Sequence, residues 1–322
     1  MTFHSRPPPS SFPLLKKSPM LRSLLPLGIA TFAAAQLGPM VPPKCSSNSK
    51  FGSVLNFTDS DSNARCLSLV TPPTSDPLPV LFYFHGQGGN AQNCGESPGE
   101  DDGKSLVDLA LEYGFALVCG EALQFDPQGG EWMLPEVVTD QTGNRCEESD
   151  SVDRSYISVA LDELAALGLD TSRVFFSGCS MGSVFSEYTS TCTALAEKEK
   201  TVKSLTAFAT HSAGLKVKGD GLSWPPLPNN TSVLTGECDD CQWFPIKPVA
   251  MDGVKICVFD NEQDPNADAP DFYTSSVNLV RAMEALGNAV ESTFLPGFHC
   301  EIHSYDAIVQ CLDDSSGRLI SA

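Results

Sequence analysis

From residue 79 onward the chain alternates short apolar runs with stretches of helical period. Pro79 to Phe84 is continuously apolar, as in a strand buried on both faces. Ser105 to Tyr113 reads as an amphipathic helix and Phe115 to Cys119 as a second buried strand. Residues 121 to 150 carry Pro, Gly and acidic residues without periodicity and predict a long loop. Asp153 to Leu167 places Ile157, Ala160, Leu161, Leu164 and Leu167 on one helical face. A strand at Arg173 to Phe176, a helix at Gly182 to Lys198 and a strand at Leu205 to Thr210 follow. A polar insertion spans about 214 to 248. The rhythm then resumes with a strand at Val254 to Phe259, a helix at Phe272 to Leu286, a strand at Glu291 to Leu295 and a last helix near Ser304 to Leu312. Alternation of this kind predicts an α/β domain: a mostly parallel central sheet with helices on both faces. Residues 36 to 78, rich in Pro, Ser and Asn, predict an irregular or short-stranded lead-in held by Cys45 and Cys66.

The first 35 residues stand apart. They hold Arg6, Lys16, Lys17 and Arg22 and no acidic residue, then an apolar stretch from Leu24 closing on Ala33-Ala34-Ala35. That is the order of a secretory signal peptide cleaved after Ala35, and Met20 is an alternative start. The apolar run is shorter than the roughly 20 residues a spanning helix needs. Residues 36 to 322 are then one catalytic domain with no membrane association. Setting the leader aside leaves 16 basic and 40 acidic side chains, a net charge near −24. Such a surface repels nucleic acid and anionic membranes, and it keeps an extracellular protein dissolved. All twelve cysteines lie after residue 35, and an even count behind a leader predicts several disulfides. Cys238-x-x-Cys241 is the single close pair, which argues against a zinc site, and no metal or other cofactor is expected. The sequons at Asn56, Asn229 and Asn230 are candidates for glycosylation.

The chemistry-bearing run is Gly178-Cys179-Ser180-Met181-Gly182. Gly-x-Ser-x-Gly alone arises by chance in roughly one chain in ten of this length, so its context decides. A predicted strand leads into it and a predicted helix follows. This is the setting of a nucleophile elbow, which exposes the serine oxygen on a tight turn that glycines permit. A serine hydroxyl needs a base held by a carboxylate, and in this setting the chain order is serine, acid, histidine. After Ser180 the histidines are His211, His299 and His303. His211 comes too early. His299 lies just past the last predicted strand, while His303 is an alternative at the start of the last helix. Cys179 precedes the serine and Cys300 follows His299. If Ser180 and His299 touch, those cysteines come within the ~4.4–6.8 Å Cα separation of a disulfide. Pairing of Cys300 with Cys311 is the competing arrangement. For the acid, Asp264 lies several residues past the strand at Val254 to Phe259, with Asp260 and Glu262 as alternatives. The amides of Gln87, in His85-Gly86-Gln87-Gly88-Gly89, and of Met181 are the candidate oxyanion donors. His85 precedes the serine and is read as ordering that loop. The run has neither the Lys-Ser/Thr nor the glycine spacing of a nucleotide-binding loop.

His85-Gly86-Gln87-Gly88-Gly89, Gly178-Cys179-Ser180-Met181-Gly182, Asp264-Pro265 and His299-Cys300 resemble the secreted polyhydroxybutyrate depolymerase and feruloyl esterase branch of the α/β-hydrolases, over roughly residues 75 to 312. Cys-Ser and His-Cys also resemble the tannase and fungal feruloyl esterase family, in which those two cysteines are bonded across the triad. The chain has no room for that family's large lid domain, and it lacks the Gly-Gly that often follows the nucleophile turn in the first group. The resemblance implies a secreted serine esterase acting on small-molecule or polymeric esters. Trp132, Trp224 and Trp243 are candidates either to line an acyl pocket or to pack loops. A serine peptidase with the same triad, and a non-catalytic binding protein on the same scaffold, are the rival functions.

Overall fold

Continuous apolar runs become the middle of a sheet when both of its faces are covered, and the central strands here show this. The computed structural model describes residues 40–41, 45, 52–91, 97–125, 129–135, 145–147, 150–198, 200, 203–212, 216–218, 241–243, 246–262, 272–313 and 319–320. All belong to one unit, Phe32–Ala322. The signal-peptide segment, Cys94, Cys238, Trp224, the sequons at Asn229 and Asn230, and Asp264 lie outside the described residues.

In chain order the strands and helices are β1 (Met40–Val41), β2 (Ser53–Thr58), β3 (Ala64–Val70), β4 (Pro79–Phe84), α1 (Leu106–Tyr113), β5 (Ala116–Gly120), β6 (Leu123–Phe125), β7 (Gly129–Glu131), α2 (Val152–Ala166) and β8 (Asp170–Cys179). They continue with α3 (Met181–Glu197), β9 (Leu205–His211), β10 (Lys216–Lys218), β11 (Cys241–Trp243), β12 (Lys255–Asn261), α4 (Phe272–Ala285), β13 (Ala289–Leu295) and α5 (Tyr305–Leu312). Eight of the strands form one sheet in the order β13-β12-β9-β8-β4-β5-β3-β2. From β13 to β5 all neighbours are parallel, while β3 and β2 run antiparallel at one edge.

Side chains alternate between two cores. Val80, Phe82 and Phe84 of β4, with Phe176, Ile256 and Val258, pack beneath α2, α3 and α4. Leu81 and Tyr83, with Phe175, Cys257 and Phe259, pack beneath α1 and α5 on the other face. Serines start three of these helices: the side chains of Ser105, Ser151 and Ser304 each accept an orphan backbone N–H.

One expectation is resolved and one changes. The lead-in takes the short-stranded form of the two expected, with Cys45 bonded to Cys66, and β2 and β3 form a hairpin that extends the main sheet through β5. Its pattern was hidden because β3 buries Arg65 and Ser68 among apolar residues. Arg65 binds Asp153 of α2, lies 3.7 Å from Asp59, and stacks its guanidinium 4.3 Å above the Tyr156 ring. Burial pushes the Asp153 carboxyl up, and the Arg65 charge opposes that shift. The stretch 121 to 150 also holds structure, since β6 and β7 make a short antiparallel sheet with β1. Three-residue strands such as Gly-Gly-Glu are too brief to show a period. Cys45–Cys66, Cys146–Cys192, Cys179–Cys300 and Cys257–Cys311 are disulfide-bonded, so Cys311 pairs with Cys257 rather than with Cys300.

Replacing Arg65 by Ala is expected to lower the unfolding free energy by about 3–5 kcal/mol, because it leaves the Asp153 carboxylate buried without its counter-ion. Urea unfolding checks this, and a loss below about 1 kcal/mol would show the pair to be dispensable.

Candidate active site

Strand β8 passes into α3 at Ser180, whose φ of 56° and ψ of −127° lie in a region non-glycine residues avoid. Close backbone approach enforces the turn. A Cβ added at Gly178 would sit 2.6 Å from the Gly182 carbonyl carbon and 2.7 Å from the Phe84 carbonyl oxygen, and one at Gly182 would overlap that Phe84 carbonyl. Polar ties hold the turn against β9: the Ser180 N–H donates to His211 O at 3.0 Å. The Ser183 hydroxyl accepts the His211 N–H at 2.6 Å and donates to Gly178 O at 2.5 Å. The Ser180 side chain itself makes no capping bond to the helix it starts.

The loop after β4 lies against this turn, since a Cβ added at Gly86 would fall 3.5 Å from Ser180 Cβ. Its amides divide by use. Gly88 N–H donates to Gly130 O and Gly89 N–H to Gly86 O. Among the described residues no hydrogen bond uses the amides of Gln87 or Met181, so both can serve an oxyanion. The exposed Gln87 side chain reaches Glu131 at 2.7 Å. His85 is buried beneath: Nδ1–H donates to Gly86 O at 2.7 Å and Nε2 accepts the Ala122 N–H at 3.3 Å. That pattern requires the neutral ring, and burial lowers its pKa to about 4. Trp132 donates to His85 O at 2.9 Å and stacks on Phe185 at 4.6 Å. It is a buried support for the loop, not a pocket wall, and the half-buried Trp243 also packs against the core.

His299 and Cys300 are the central residues of a turn closed by the Glu301 N–H to Phe298 O bond at 3.1 Å. The Cys179–Cys300 bridge, with Cα atoms 5.8 Å apart, ties that turn to the residue before Ser180. The His299 side chain is exposed, with the Phe272 ring at 4.5 Å. His303 is engaged elsewhere, its Nε2 at 2.8 Å from Pro296 O and its Nδ1 at 3.3 Å from Asp101. His211 is buried at the end of β9, beside Cys179 and Ser212. Of the candidate acids, Asp264 lies outside the described residues. Asp260 is buried and accepts from the hydroxyls of Ser212 (3.2 Å) and Ser276 (2.5 Å) and from the Asn261 amide (2.7 Å), which makes it an internal tie between β9, β12 and α4. Glu262 is exposed.

Sequence reasoning missed Asn261, Phe272 and the Asp260 hydroxyl network. The polar Asp-Asn ending an otherwise apolar strand was the available signal for two of them.

No family model and no curated protein matches this chain. Its solved structural neighbours include a bacterial heroin esterase, 17% identical over 86% of this chain and 87% of the other, with a TM-score of 0.50. A ferulic acid esterase is 14% identical over 81% of this chain and 95% of the other, with a TM-score of 0.51. Together with the sheet order, these matches show that the chain has the α/β-hydrolase fold.

In the unfolded chain His85 titrates near 6.5, against about 4 when folded, so between those values the unfolded state binds more protons. Its contribution is therefore full above pH 6.5 and is lost on acidification towards pH 4, in total about 3 kcal/mol. His85→Asn, which does not titrate, is expected to flatten that part of the stability profile. Urea unfolding of both proteins from pH 4 to 7 checks this, and parallel profiles would refute it.

Proposed function

We propose that this protein is a secreted carboxylic ester hydrolase that works through an acyl-enzyme on Ser180. The observation carrying the proposal is the positive-φ Ser180 on the β8–α3 turn, with Gly86 against it and the Gln87 and Met181 amides in no hydrogen bond among the described residues. In this reading His299 takes the hydroxyl proton as Ser180 Oγ attacks the ester carbonyl, and Asp264 holds the imidazolium that forms. The Gln87 and Met181 N–H groups stabilise the oxyanion. Collapse of the tetrahedral adduct breaks the ester bond, and the alcohol leaves with the proton from His299. Water, deprotonated by the same histidine, then attacks the acyl-enzyme and releases the acid. The disulfide between Cys179 and Cys300 supports His299 as the base, because it holds the two turns together. His303 is tied to Pro296 and Asp101. Secretion is supported by the disulfides, four of them between described residues, and no described helix is long and apolar enough to cross a membrane.

The substrate class follows from what surrounds the base. Phe298, beside His299, is 67% exposed, and Phe272 covers one side of the imidazole. An aromatic rim at an open site suits a bulky ester or one carried on a polymer, of the feruloyl or hydroxyalkanoate type, more than an acetyl ester enclosed in a pocket. The ferulic acid esterase among the structural neighbours agrees with this choice.

Ser180→Ala is expected to cut p-nitrophenyl acetate turnover by at least about 10³-fold, with unchanged thermal unfolding and no labelling by a fluorophosphonate probe. Retained turnover would remove Ser180 from the reaction. Phe298→Ala should raise KM for methyl ferulate by about 3- to 10-fold while leaving p-nitrophenyl acetate nearly unaffected. Equal effects on both esters would deny Phe298 a part in specificity.

A further inference from the structure

Asn261 closes β12, three residues before Asp264, and is buried. Its Nδ2 donates both hydrogens across to the turn that carries His299: to Phe298 O at 2.5 Å and to Glu301 O at 2.9 Å. These carbonyls belong to the first and last residues of that turn, so the amide spans His299 and Cys300 from below. The approach is close. A Cβ added at Gly297 would lie 3.0 Å from Asn261 Cγ, tighter than ordinary van der Waals contact. The backbone is joined in the same place, with Asn261 opposite Leu295 in the β12–β13 register and the Glu262 N–H donating to Leu295 O at 2.8 Å. The far side of the turn is held differently, by the Phe298 N–H bond to the Glu301 carboxylate at 2.6 Å and by the disulfide to Cys179.

We infer that Asn261 is a positioning residue for the base. The disulfide fixes the histidine turn relative to the nucleophile. Asn261 fixes the same turn relative to β12, the strand from which the acid loop departs. A carboxamide suits this place because both partners are acceptors and its Nδ2 offers two hydrogens. A carboxylate of the same shape would face two carbonyl oxygens with nothing to donate. The inference rests on the proposed roles of Ser180, Asp264 and His299.

The test uses the full-length disulfide-bonded protein and p-nitrophenyl acetate. Asn261→Asp is expected to lower kcat on the order of 10²-fold while KM stays within about threefold, because the turn shifts but the acyl site does not. Asn261→Ser retains one donor and should fall between the wild type and Asn261→Asp. It also carries the test if the aspartate variant does not fold. The control for stability alone is Glu197→Ala. Its carboxylate accepts from Ser204 and Leu205 at the start of β9, about 20 Å along that strand from His211. That variant should lose stability and keep kcat within about threefold. Unchanged kcat in both Asn261 variants, or an equal kcat loss in Glu197→Ala, would overturn the inference. Turnover surviving in Ser180→Ala would instead overturn the reading of the site on which it rests.

Discussion

The arrangement depends on one close backbone contact, where the first turn of α3 lies against the carbonyl of Phe84 at the end of β4. Phe84 pairs with Gly178 in the sheet, and Gly182, four residues on, touches the same carbonyl. Only glycine fits at both positions, and the chain must turn sharply at the residue between them. That places Ser180 at φ 56°, a conformation costing on the order of 1–3 kcal/mol, which the surrounding packing has to impose. The hydroxyl of Ser183 and the carbonyl of His211 supply part of that packing. The same contact brings Gly86 against Ser180.

Around that contact the other functional loops are held by ties of different kinds. Trp132 pins the His85 loop through one hydrogen bond and a stack of aromatic rings. The histidine turn is tethered by a disulfide closing 121 residues, a constraint worth about 4–5 kcal/mol on the chain-entropy model. Two hydrogen bonds from Asn261 hold its other side. The exposed His299 side chain meets the Phe272 ring, and these ties hold the turn that carries it.

Much of the fold was legible because it rests on short-range signals. The buried run Pro79–Phe84 became a strand at the predicted boundaries, and Ser105, Ser151 and Ser304 cap helices within a residue or two of the predicted starts. Short strands were expected in the lead-in, but their pairing as an edge hairpin on β5 was not legible. A buried arginine looks like a surface residue until Asp153, 88 positions away, is known to face it. The three-stranded patch of β1, β6 and β7 was equally hidden, since its strands are two and three residues long.

For the candidate site the division is similar. Sequence alone determined the strand–turn–helix setting of Ser180 and the glycine loop after β4, because each is a matter of neighbours along the chain. Only the tertiary structure decided that Cys179 bonds Cys300, that His303 is taken by Pro296 and Asp101, that Trp132 is a support, and that Asn261 holds the histidine turn. Each of these concerns which polar group meets which. Periodicity says whether a side chain is buried, but its hydrogen-bond partner depends on strand order and register, which bring together residues distant in sequence.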